Sequence, residues 1–213
     1  MNHDDFAFEP VRGLPERPPE GEQILWQGHP DWWALTVEAL NLKWVALYFA
    51  GLAAWRFVTL VDQGSAGQAF AASSPFLILG AIVCVLLMIV GFVQARATVY
   101  TITNRRVAMR IGAALTVTLN LPYSQIRSAD LSLRRRGTGT VALDLLPGDV
   151  RLSYLVCWPH VRPWVLRRTQ PALRCIPEAE NVARLLADQA EAEIATPRVA
   201  RGTPARPATL AAE

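Results

Sequence analysis

Residues 76–95 carry no charged side chain, and a soluble core helix rarely stays apolar on every face for so long. Twenty helical residues at about 1.5 Å each cover about 30 Å, the hydrocarbon thickness of a bilayer. The run ends at Arg96 and leads within a few residues into Tyr100-Thr-Ile-Thr-Asn-Arg-Arg106, which reads as a strand and a tight turn. A membrane span is therefore joined almost directly to a β domain.

A second span is expected at about residues 40–61. It is less clean, with Lys43 near one end and Arg56 nearer the other. Trp44, Tyr48 and Trp55 lie along it, and aromatic side chains favour the membrane–water interface. Lys43 can snorkel to the near surface. Arg56 can do the same at the far surface, or it can pair with a partner protein within the membrane. Small residues recur at helical spacing, Ala46, Ala50 and Ala54 in one span and Gly80, Cys84 and Gly91 in the other, so the two helices can pack closely.

The connection over residues 62–74 is expected to be a short polar loop without Lys or Arg, whereas Arg96, Arg105, Arg106 and Arg110 crowd the other flank. The positive-inside rule then predicts a helical hairpin over 37–96 with both termini in the cytoplasm. No charged-then-apolar start precedes it, so no cleaved signal peptide is expected. Residues 1–36 read as a cytoplasmic N-terminal segment.

The composition narrows the chemistry. A net charge of +3 is too small for nucleic-acid binding to be expected. Three cysteines, Cys84, Cys157 and Cys175, are an odd number without a C-x-x-C spacing, which supports neither a disulfide framework nor a zinc site. Glycine-rich phosphate loops, H-E-x-x-H and G-x-S-x-G are all missing, so neither catalytic residues nor cofactors are expected.

From residue 97 apolar side chains recur at every second position. Val107, Met109 and Ile111 follow this rule, as do Leu115 to Leu121, Leu131 with Leu133, Val141 to Leu145, and Leu152 with Tyr154 and Val156. Such alternation predicts half-buried antiparallel strands, with a further one near 172–176. A helix is expected from Pro177, which suits a first helical turn, with Val182, Leu185 and Leu186 forming the stripe that docks on the sheets. Residues 195–213, rich in Pro, Ala and Arg, read as a disordered tail.

Seven short strands capped by one helix, over 97–194, follow the plan of a pleckstrin-homology (PH)-like barrel. Tyr100-Thr-Ile-Thr-Asn-Arg-Arg-Val107, Leu121-Pro-Tyr-Ser-Gln-Ile126 and Glu22-Gln-Ile-Leu-Trp-Gln-Gly-His-Pro30 resemble motifs of the bacterial membrane-anchored PH-domain family. A narrower likeness, to photosynthetic-complex assembly proteins of purple bacteria, rests on His3-Asp-Asp-Phe6, Phe8-Glu-Pro-Val-Arg-Gly-Leu-Pro15, Trp26-Gln-Gly-His-Pro-Asp-Trp32, Ile102-Thr-Asn-Arg-Arg-Val107 and Trp158-Pro-His-Val-Arg-Pro-Trp164. This likeness implies a non-enzymatic scaffold or chaperone in the bacterial cytoplasmic membrane, inner or intracytoplasmic. Its implied partners are reaction-centre and core-antenna polypeptides and further copies of itself. A general membrane-anchored module that binds lipid or protein, unrelated to photosynthesis, is the alternative.

The candidate contacts for a partner or the membrane surface follow. Trp26, Trp32 and Trp33 can anchor the chain at the interface or pack against the barrel. Trp158, His160, Arg162 and Trp164 lie in a two-proline segment expected to be a loop, either packed or docking. His160 as a pigment ligand is a further reading. Arg105 and Arg106, like Arg134-Arg-Arg136, can be plain solvated turns or can meet anionic head groups. Arg56 completes the set.

Overall fold

A computed structural model describes residues 10–113, 115–134, 137–147 and 152–195. Two long helices dominate one end: α2 (Leu42–Val61) and α3 (Ala66–Ala97), preceded by the short helix α1 (Trp32–Glu38). Both long helices are apolar enough to cross a membrane, and only 6% and 11% of their apolar windows are buried. A core helix of a soluble protein would instead be mostly covered. The chain is membrane-associated on that ground.

Much of the expected polar loop is helix. Ser65 caps α3 and forms a reciprocal capping box with Gln68, so the helix starts at Ala66 and only residues 62–65 turn. Pro75 lies inside α3 and cannot donate to the Ala71 carbonyl; the Ser74 hydroxyl donates to that oxygen instead, at 2.9 Å. The two helices pack face to face where Gly80 meets Phe49. A Cβ at Gly80 would come within 2.6 Å of the Phe49 Cβ.

A single residue, Thr98, separates α3 from strand β2 (Val99–Thr103). Strands β3 (Arg106–Ile111) and β4 (Val117–Pro122) continue an antiparallel meander. The remaining member of this sheet comes from before the helices: β1 (Ile24–Gly28) pairs with β2, in the order β1-β2-β3-β4. The N-terminal segment thus contributes a strand and part of a helix to the folded unit. A second sheet has the order β5-β6-β7, from β5 (Ile126–Leu133), β6 (Thr138–Leu145) and β7 (Ala172–Pro177).

The expected closed barrel is therefore two separate sheets, with no ladder joining them among the described residues. Seven strands are described, but one was misplaced in the sequence reading. Residues 152–156 do not form a strand: Tyr154–Cys157 is a turn of helix, α4. Its alternation misled because Leu155 and Val156 both face solvent while Cys157 is buried.

The sheets enclose one core. Tyr100, Ile102, Val107 and Met109 from the first meet Val141, Leu143, Leu173 and Ile176 from the second. Helix α5 (Ala179–Ala195) closes it with Val182 and Leu186, each contributing about 1.5–3 kcal/mol of burial. The helix starts later than expected, because Pro177 ends β7 and Glu178 takes a positive φ of 53°. The tail, from residue 196, lies outside the described residues, as do Arg135, Arg136 and the opening His3 block.

Candidate functional site

The Trp-Pro-His segment is anchored inside the protein by His160. Its ring is fully buried between Thr98, at the end of α3, and Tyr100 of β2, with both nitrogens engaged. The Thr98 hydroxyl donates to the Gln94 carbonyl at 2.8 Å, so toward His160 it can only accept. His160 therefore carries its proton on Nε2 and donates to Thr98 Oγ1 at 3.0 Å. Nδ1 then accepts from the Tyr100 hydroxyl at 2.6 Å, whose oxygen accepts from the Arg174 backbone N–H at 3.2 Å. One directed chain of hydrogen bonds runs from β7 through Tyr100 and His160 into the last turn of α3.

Burial, and secondarily the Arg174 charge, push the His160 pKa down to about 3, which keeps the ring neutral. Burial pushes the Tyr100 hydroxyl well above its ordinary value. With no ring nitrogen left to face a pigment or a membrane surface, His160 is a joint rather than a surface contact. The partners Thr98, Tyr100 and Arg174 were not singled out in the sequence; Tyr100 stood in the hairpin motif, but nothing local linked it to residue 160.

The rest of the segment reaches outward. Val161 bridges Pro171, and the Arg162 N–H donates to the Gln170 carbonyl at 2.9 Å, which pins the base of an excursion. Arg162 also binds Asp130 at 2.5 Å. At the excursion's tip Trp164 is 91% exposed, with φ at 67°, and Leu166 is exposed beside it. Leu155, Val156 and Trp158 are exposed on the approach. The structure therefore separates the motif into a buried anchor, His160, and an apolar outer loop.

Arg105 and Arg106 stand at the turn between β2 and β3, at the opposite end of β2 from α3. A five-residue strand spans about 16 Å, so they do not share the position of Arg96 in the last turn of α3. Arg106 pairs with Glu22 at 2.8 Å, and the Glu22 side chain is only 2% exposed. Asn104 ties the same turn to the N-terminal segment through Gln23 and Gly21. These contacts join the loop before β1 to the β2–β3 hairpin and give the partly exposed Arg106 a partner within the chain; Arg105 is exposed.

The tryptophans divide. Trp26, on β1, packs against the core. Trp32 and Trp33 project from α1, and Trp32 meets Phe92 of α3 edge-on at 6.1 Å. Asp31 caps α1 by accepting from the Ala34 N–H at 2.7 Å. At its far end Glu38 is buried, pairing with Arg134 and accepting from the Cys175 thiol at 3.1 Å. Burial first, then Glu38, raises the Cys175 pKa. Arg56 is exposed on α2, and among the described residues no group of three metal-ligating side chains is assembled.

Two sheets, a capping helix and a pair of long apolar helices in one unit define a membrane-associated PH-like protein. The bacterial PH domain family pattern matches residues 40–190, and the chain belongs to that family. The match begins before α2, so the hairpin is part of the family unit. Along its whole length the chain is similar to an uncharacterized 23.7 kDa protein in the puhA 5′ region of Rhodobacter capsulatus, 46% identical over 215 aligned positions covering 100% of both chains. No solved structure matches.

Proposed function

We propose that the protein is a non-enzymatic assembly factor, a membrane-anchored scaffold or chaperone for the photosynthetic reaction centre and its core light-harvesting antenna. The observation that carries this reading is full-length similarity to a protein whose name places it beside puhA, in a photosynthesis gene region of a phototroph. The sequence blocks that resemble PuhB, a photosynthetic-complex assembly protein, support the same reading.

Geometry is compatible with such work. One residue joins α3 to the first strand after it, so the β domain stays within reach of the bilayer. The exposed loop around Trp164 offers an aromatic side chain to a client segment, and large aromatic anchors dominate protein interfaces. In this proposal α2 and α3 cross the membrane as a hairpin, with both termini cytoplasmic.

The test is deletion of the gene in a phototrophic host, read as reaction-centre and core-antenna absorbance in isolated membranes. Both are expected to fall, and normal levels would refute the role. Topology is checked separately: a reporter inserted near Gly64 is expected to be periplasmic and one fused after Glu213 cytoplasmic.

A further inference from the structure

A cavity of about 750 Å³ opens where α1, the start of α2 and the β5–β6 hairpin meet. Its lining includes Asp31, Trp33, Glu38, Lys43, Leu133 and Arg134. The depth of the cavity follows from the helix packing. Phe49 faces Gly80, so Lys43, about six residues earlier on α2, lies beside the residue about six later on α3, near Leu86. That level is inside the charge-free run 76–95. Helix α1 crosses α3 nearer the run's end, where Trp32 meets Phe92 and Leu35 packs with Ala95. Lys43 therefore stems from the level of the apolar run and lines the cavity beside α1, where a lysine can snorkel.

The charges in the cavity have unequal engagements. Arg134 is paired with Glu38. Asp31 uses Oδ1 to cap α1. Lys43 is exposed and has no carboxylate within ion-pair distance among the described residues. Two cations and two carboxylates balance, beside the apolar surfaces of Trp33 and Leu133. A zwitterion suits such a lining better than an anion does, because an added net charge would be unmatched.

We propose that this cavity seats the head group of an ethanolamine phospholipid, with the phosphate on Lys43 and the ammonium on Asp31. The primary ammonium can donate hydrogen bonds to a carboxylate, which a choline head group cannot. The acyl chains would leave along the exposed apolar face of α2, where Leu47 is uncovered. This inference does not depend on the assembly role.

The experiment uses the full-length protein in detergent, given equal amounts of phosphatidylethanolamine, phosphatidylglycerol and phosphatidylcholine, with retained lipid read by native mass spectrometry. Ethanolamine lipid is expected to dominate. Lys43→Met is expected to lower that adduct about tenfold, and Lys43→Arg to retain it. Asp31→Asn keeps a capping side chain and removes the carboxylate charge, so it is expected to erase the preference over choline lipid. Melting temperatures of the variants establish that they are folded. Equal retention of the three lipids, or an undiminished adduct in Lys43→Met, would overturn the proposal. Displacement by about 10 mM inorganic phosphate would also overturn it, since a phosphate ion in place of a lipid would then explain the site.

Discussion

Acidification should weaken this protein through His160 in a way that can be isolated. The ring is neutral in the folded chain, with its pKa pushed down to about 3, against an ordinary value near 6.5 in the unfolded chain. Between those values the unfolded state binds the extra proton, so stability falls as pH drops below about 6.5 and is unaffected above it. At about pH 5 the shortfall is about 1.5 pH units, or about 2 kcal/mol. For a chain of this size that is a Tm decrease of about 4–8 °C. The assay is thermal unfolding of the full-length protein in detergent, followed by tryptophan fluorescence at about pH 7.5 and pH 5. Other groups also titrate, so the reference is His160→Gln, which keeps an N–H donor and cannot take up the proton. The variant should be less stable at neutral pH but should lack the extra acid-dependent loss. If wild type and variant lost the same Tm on acidification, the buried hydrogen-bond chain would not be setting His160's protonation, and the reasoning would fail.

Three further outcomes follow from other contacts. Arg106→Ala should cost about 2 kcal/mol by stranding the nearly buried Glu22, somewhat below a wholly buried pair because Arg106 is 27% exposed; a double-mutant cycle with Glu22→Gln, read by chemical unfolding, measures the coupling. Gly80→Val should separate α2 from α3, costing about 1–3 kcal/mol, because its Cβ would collide with Phe49; heat stability in detergent and cross-linking between the helices report it. Trp164→Ala should leave the unfolding free energy within about 0.5 kcal/mol of wild type, since the ring touches little, while reducing capture of client polypeptides if the outer loop is the docking surface.

What could be read in the sequence was what depends on neighbours. The apolar runs mark both long helices, alternation locates β3, β4, β6 and the end of β5, and the hairpin motif and the further strand expected near 172–176 match β2 and β7. Ile24-Leu-Trp-Gln-Gly28 was overlooked as a strand because its tryptophan lies among others and beside Pro30, a pattern equally suited to an interfacial anchor. Its partner, β2, begins about seventy residues later, across both helices. The Tyr154 turn of helix fails the opposite test, since three alternating apolar residues imitate a strand when burial is not yet known. Whether two sheets close into a barrel is decided by distant registers, which no local period encodes. His160 could be noticed but not understood, because its hydroxyl partners are 60 and 62 positions away.

Strand β1 has a consequence for how the chain is made. It leaves the ribosome before α2 and α3, yet its hydrogen-bonding partner emerges only after both. If the helices cross the bilayer, a chain with one helix inserted and the other left out would hold β1 and β2 on opposite sides of the membrane, with no path to each other. The sheet can be completed only when both helices, or neither, have crossed. Glu22 would then wait for Arg106 as well, its carboxylate in water until β3 arrives. The β domain would thus be both the last part to fold and the point at which faulty insertion becomes a failure to fold, open to proteolysis.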